Sequence, residues 1–111
     1  IGYSAADFEH GPVVLARDGT PVLFMQSPGL MGVRTRPLRQ RLIDSGCDVW
    51  TVATERTSPS DRTLSLPGGV TDELSPILMV LPGLILAEHA ARILGYDPDA
   101  PRGLTKVTET L

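Results

Sequence analysis

The chain has one cysteine, one tryptophan, two tyrosines and two phenylalanines in 111 residues. A lone Cys47 excludes an internal disulfide, and no metal-ligand cluster surrounds it. That usage fits a reducing, cytoplasmic setting. Scarce aromatics argue against a base-stacking surface. There is no block of Lys or Arg, and the formal net charge is −3. A basic nucleic-acid footprint is therefore missing. The most apolar stretch, Ile77 to Ala87, covers eleven residues with Pro82 inside it, too few for a membrane span, and reads as a buried helix. No signal-peptide pattern is visible, and neither an internal repeat nor a low-complexity segment. Residue 1 is Ile rather than Met, which leads us to expect a piece of a longer protein. An active site can be divided by such a cut.

What is present is one domain's worth of alternating elements. A chain of this size buries roughly two-thirds of its unfolded surface, enough for a modest core. Ser4 to Glu9 reads as one or two helical turns stopped by Gly11-Pro12. Val13 to Ala16 reads as a short extended piece, followed by an Asp18-Gly19 turn. The apolar run in Pro21 to Gln26, bounded by turn residues, predicts a buried strand. Val33 to Asp44 predicts an amphipathic helix ended by Gly46, and Pro37 places its start near Thr35. Cys47 to Thr54 predicts a second strand. Strand, helix and strand in this order make one βαβ unit with parallel strands and a right-handed crossover. Glu55 to Arg62 reads as loop, and Thr63 to Leu66 as a short strand closed by Pro67-Gly68-Gly69. Thr71 to Leu94 is the longest helical stretch, with Ser75-Pro76 as N-cap and first helical residue and a kink at Pro82. The tail beyond Gly95 is polar and at first Pro-rich.

Two segments carry a family pattern. One is Tyr3-Ser4-Ala5-Ala6-Asp7-Phe8-Glu9-His10-Gly11-Pro12. The other is Gly95-Tyr96-Asp97-Pro98-Asp99-Ala100-Pro101-Arg102-Gly103-Leu104-Thr105-Lys106. Together they resemble the second sugar-isomerase (SIS) domain of the glucosamine-6-phosphate synthase family, the glutamine–fructose-6-phosphate aminotransferases (isomerizing). SIS amino-sugar-phosphate deaminases and isomerases share the pattern. Glu73, Pro76, Pro82 and His89 on and near the long helix agree with it.

The resemblance implies an α/β fold, a three-layer α/β/α sandwich with a parallel sheet of the Rossmann or flavodoxin-like kind. Residues 1–111 would form the second SIS domain, with the tail 96–111 contributing to the active site. It implies a catalytic His10 that opens the sugar ring in a neighbouring subunit's site. It implies a catalytic, substrate-contacting Lys106, with the Thr105 backbone close to the substrate. The implied partners are a sugar phosphate, a second copy of the chain in a homodimer, and a sister SIS domain upstream. No cofactor, metal, nucleic acid or membrane is implied. The family's isomerisation base is a glutamate upstream of the His-Gly-Pro motif, and its phosphate loop lies in the first SIS domain. Asp7 and Glu9 are therefore not assigned as that base, and the chain by itself is expected to be inactive.

The residue types suit this chemistry. Aldose–ketose interconversion moves a proton between C1 and C2 of an open-chain sugar, and it needs ring opening, a base and stabilisation of an enediol-like intermediate. An imidazole, with an ordinary pKa of about 6.5, exchanges protons near neutrality. A lysine forms a Schiff base with a carbonyl or pairs with substrate charge. Each also has a plainer reading. His10 before Gly-Pro alone is more often a helix-end cap, and a lysine near a C-terminus is more often a solvated residue. The motifs around them supply the signal.

Other residues read structurally. Arg102 suits an anchor for the tail through Asp97 or Asp99. His89, in Glu88-His89-Ala90-Ala91-Arg92, lacks the second histidine of a zinc-protease motif and reads as a packed or interface residue. Ser4 falls short of a nucleophile elbow, Cys47 suits a small core position, and Pro67-Gly68-Gly69 is a turn without the lysine of a phosphate loop. A SIS deaminase or plain isomerase is an alternative of the same class, and a non-catalytic sugar-phosphate sensor is an alternative of another, since this fold serves both.

Overall fold

Two strands and the helix between them organise the chain. A computed structural model describes residues 1–54, 62–100 and 103. Strand β1 spans Pro21–Gln26, helix α2 spans Gly29–Asp44 and strand β2 spans Asp48–Ala53. A five-residue helix α1, Ala5–Glu9, and a 3-10 turn, Pro12–Leu15, precede them; strand β3, Thr63–Ser65, and helix α3, Ser75–Ile93, follow. The sheet order is β1-β2-β3, and both pairings are parallel. The α/β class and the parallel βαβ unit read from the sequence are what the structure has. Two units divide the chain, Ile1–Val80 and Leu81–Leu111.

In the first unit, the core lies between α2 and one face of the sheet. Phe24 of β1, Val49 of β2, Leu38 and Leu42 of α2, and Cys47 form it, and Ala5, Phe8, Ala16 and Val22 pack against them. The alternation of the strands places Phe24, Val49 and Thr51 on this face. Leu38 and Leu42, four residues apart, form the matching stripe of α2. Cys47 is a small core residue, as expected, and its thiol donates to the Arg17 carbonyl at 3.4 Å. The opposite sheet face is more open. Met25, Trp50 and Leu64 are 43%, 43% and 42% exposed, while Val52 beside them is fully buried.

Four expectations change. Residues 13–15 form a 3-10 turn with Pro12 rather than an extended piece, because Pro12 fixes the helical φ at the turn's first position. Helix α2 starts at Gly29, a turn and a half before Thr35, and carries Pro37 inside it. Pro37 removes one helical hydrogen bond, a cost of about 3 kcal/mol in an isolated helix. Tertiary contact offsets it. Gly32 is buried against the end of β1, and Leu38 and Leu42 are anchored in the core. The Thr35 hydroxyl also donates back to the Gly32 carbonyl at 3.1 Å.

Helix α3 departs in two ways. Only Ser75 and Met79 of its residues are buried, so the expectation of a buried helix fails. Ile77, Leu84 and Ile85 are 65%, 59% and 60% exposed. The 19-residue helix lies within the expected 71–94 stretch, but by length and composition alone it is long and apolar enough to cross a membrane, where its eleven-residue apolar part read as too short. Its second half carries Glu88 and Arg92, which pair one turn apart. The Arg92 guanidinium holds the Glu88 carboxyl below its usual range, chiefly by hydrogen bonding.

Candidate functional site

His10 sits where the sequence puts it, at the end of a small helix fastened to the core. Ser4 caps α1. Its Oγ accepts from the Asp7 backbone N–H at 3.1 Å and donates to Asp7 Oδ2 at 2.6 Å. The Asp7 carboxylate accepts from the Ser4 hydroxyl and not from the Ser4 backbone N–H, so the cap satisfies one first-turn amide, that of Asp7. Phe8 and Ala5 turn into the core, and Tyr3 stacks at a tilt on Phe8 with ring centroids 5.8 Å apart. Glu9 pairs with Arg41 of α2 at 3.0 Å. Both side chains are half exposed, so the pair is worth at most about 1 kcal/mol and acts mainly to orient α1.

That leaves His10 as the C-cap of α1, its backbone N–H bonded to the Asp7 carbonyl at 3.3 Å. Its side chain is exposed and has no side-chain partner among the described residues. A helix-end cap needs only the backbone of this residue. The imidazole is therefore spare, held on a fixed platform and open to whatever approaches it. Replacing Ser4 with Ala is expected to lower stability by about 0.5–2 kcal/mol, because losing the cap leaves the Asp7 amide without its side-chain acceptor. Urea unfolding of the variant measures it; an unchanged midpoint would mean that the platform does not depend on the cap.

Arg102, Thr105 and Lys106 lie outside the described residues. His89 is neither packed nor buried. Its side chain is 69% exposed, and its Nδ1 lies 3.0 Å from Glu88 Oε2. Glu73 lies in the turn before α3, where a hydrogen bond from the Thr71 side chain holds its carboxyl below the usual range. No group of three or more His, Cys, Asp or Glu able to hold a metal occurs among the described residues.

The structure adds a feature with no sequence motif. At the carboxyl end of β1, where open α/β sheets commonly meet ligands, Gln26 is 5% exposed. Among the described residues, Gln26 Oε1 and Asp72 Oδ1 are buried without a hydrogen-bond partner. Asp72 stands against Gly29, which has φ of +74°. Gln26 sits at the end of an otherwise apolar strand and Asp72 in a loop, so neither residue's spacing hinted at this.

No protein-family model matches the chain. Curated relatives do. A glutamine–fructose-6-phosphate aminotransferase (isomerizing) of Streptococcus pneumoniae strain R6 is 35% identical over 105 residues, covering 95% of this chain. Enzymes of the same name from Thermococcus kodakarensis and Pyrococcus horikoshii are 35% and 36% identical over 111 and 112 residues, again 95% of this chain. The chain spans only 17–18% of the length of these relatives.

Proposed function

From a chain that is homologous along its length to one segment of the glutamine–fructose-6-phosphate aminotransferase (isomerizing) family, we propose that residues 1–111 are the second SIS domain of a sugar-phosphate-converting enzyme. In that reading the domain serves ketose–aldose isomerisation of fructose 6-phosphate or glucosamine 6-phosphate. The tail 96–111 contributes Lys106 and the Thr105 backbone to substrate binding. The observation that carries the proposal is the 35% identity across 95% of the chain, which takes in the His-Gly-Pro motif. The exposed imidazole of His10 on its anchored helix supports it.

The chemistry assigns each group a task. His10 opens the sugar ring by moving a proton between the anomeric hydroxyl and the ring oxygen. Lys106 meets the open-chain carbonyl end, where a positive charge or an imine stabilises developing negative charge. The side chain of His10 faces outward, which suits a site completed by another copy of the chain, so the parent acts as a homodimer with a shared active site. A sister SIS domain supplies the phosphate loop, and a residue outside this chain supplies the isomerisation base. No cofactor or metal takes part. The parent is cytoplasmic, and α3 packs on protein rather than lipid, since Pro82 and the Glu88–Arg92 pair suit a bilayer poorly.

Lys106→Ala in the full-length parent tests the assignment. Turnover of fructose 6-phosphate is expected to fall by about 10²-fold or more. An unchanged kcat/KM would remove Lys106 from the chemistry. A parent that neither binds nor converts either sugar phosphate would overturn the whole reading. A SIS deaminase running toward fructose 6-phosphate and ammonia is the second reading, and the paired motifs at His10 and Lys106 accommodate it equally. A non-catalytic sensor is disfavoured, because sensing needs no ring-opening group.

A further inference from the structure

The helix that carries His10 is too short to set its own direction. α1 has five residues, and none of them is buried. A helix of that length is not stable alone, so its place in the fold comes from what it touches. Two kinds of contact hold it. Ala5 and Phe8 pack against the core. Apolar contact is non-directional, so it fixes that α1 lies on the core but not how it is turned. The directional contact is ionic. Arg41 Nη1 donates to Glu9 Oε1 at 3.0 Å, across 32 positions of the chain. Among the described residues, no other hydrogen bond or ion pair ties α1 to another element.

The tether sits at the end that matters. Glu9 is the last residue of α1, and His10 follows it directly as the C-cap. Whatever fixes Glu9 fixes the end of the helix from which the imidazole projects. Arg41, for its part, stands on a firm base. It lies in the last turn of α2, between Leu38 and Leu42, which are both buried in the core. Its carbonyl accepts from the Ser45 backbone N–H at 3.0 Å and from the Ser45 hydroxyl at 2.8 Å, which closes the helix around it. A guanidinium on so fixed a base suits the task of aiming a carboxylate, because its donors lie in a planar fork.

We infer that Arg41 is a positioning residue for His10: through Glu9 it sets the direction in which α1 presents the imidazole to the sugar. Arg41 acts on the helix and not on the substrate. The inference rests on the proposed ring-opening role of His10 and adds to it the residue that aims the group. Both side chains of the pair are half exposed, so the effect on rate is modest, about fivefold at most.

A double-mutant cycle in the full-length parent decides it. Arg41→Ala is expected to lower kcat/KM for the cyclic sugar phosphate by about three- to fivefold. An analogue that cannot cyclise is expected to keep its rate, since it needs no ring opening. In a His10→Ala background the same substitution should cost nothing further, because its route to the reaction is gone. An unchanged kcat/KM in Arg41→Ala would overturn the inference. An equal loss on both substrates would do so too, as would an undiminished loss in the His10→Ala background, because either marks a general disturbance of the fold. These failures leave the proposed chemistry standing as long as His10→Ala itself is impaired. Full activity in His10→Ala would instead overturn that chemistry, and this inference with it.

Discussion

In the full-length parent, His10→Ala is expected to lower kcat/KM for the sugar phosphate by about 10²–10⁴-fold, the usual worth of a positioned acid–base group. The fold should not notice. The His10 side chain is exposed and makes no hydrogen bond or ion pair among the described residues, and its capping bond to the Asp7 carbonyl uses the backbone N–H that alanine retains. Circular dichroism and the urea midpoint should therefore match those of the wild type while turnover collapses. Supplying the open-chain form is the sharper diagnostic. If His10 opens the ring, a substrate analogue that cannot cyclise should lose far less rate in the variant than the cyclic sugar does. Equal losses on both would place His10 elsewhere in the reaction, and no loss on either would return it to the role of a helix cap.

Gly32→Ala should be among the most damaging single-methyl additions in the first unit. A Cβ at this position would lie 1.9 Å from the Ser27 carbonyl oxygen and 3.1 Å from its carbon. Both are backbone atoms, held by the end of β1, so neither can swing aside as a side chain would. The helix must move off the strand, and a cost of about 1–3 kcal/mol or more is expected, against an ordinary gain for glycine to alanine inside a helix. Chemical denaturation gives the number. A stabilised variant would show that the β1–α2 junction is looser than described. Gly29, three residues earlier, carries φ of +74° and faces Asp72, so the whole junction is built on close backbone approach.

Much of the fold can be read from the sequence. The bounds of β1 follow from an apolar run between Thr20-Pro21 and Ser27-Pro28, and those of β2 from the second such run after Gly46. Gly46, at φ of +78°, ends α2 as a glycine after a helix should. These are local signals, and each reports a backbone preference that its own residues carry. The start of α2 is not of this kind. Read locally, Pro37 belongs at a first turn; in the fold, Gly32 against Ser27 and Leu38 in the core hold two turns ahead of it. The candidate site divides in the same way. His10 is legible because a motif surrounds it and its local helix positions it, whereas the burial of Gln26 Oε1 and of Asp72 Oδ1 comes only from packing.

The sequence by itself determined the family pattern, the two strands of the βαβ unit and their parallel sense, and the placement of His10 at a helix end. Short-range chemistry suffices for these: turn residues, capping groups, and the alternation of apolar side chains. Tertiary structure decided which apolar surface is covered. Ile77 to Ala87 is as hydrophobic as a core helix, yet only Ser75 and Met79 of α3 are buried, and β1 is as apolar as an inner strand while, among the described residues, only β2 pairs with it. Burial depends on which neighbours arrive. Hydrophobicity records that a surface wants a partner, and only the assembled fold shows where one is still owed.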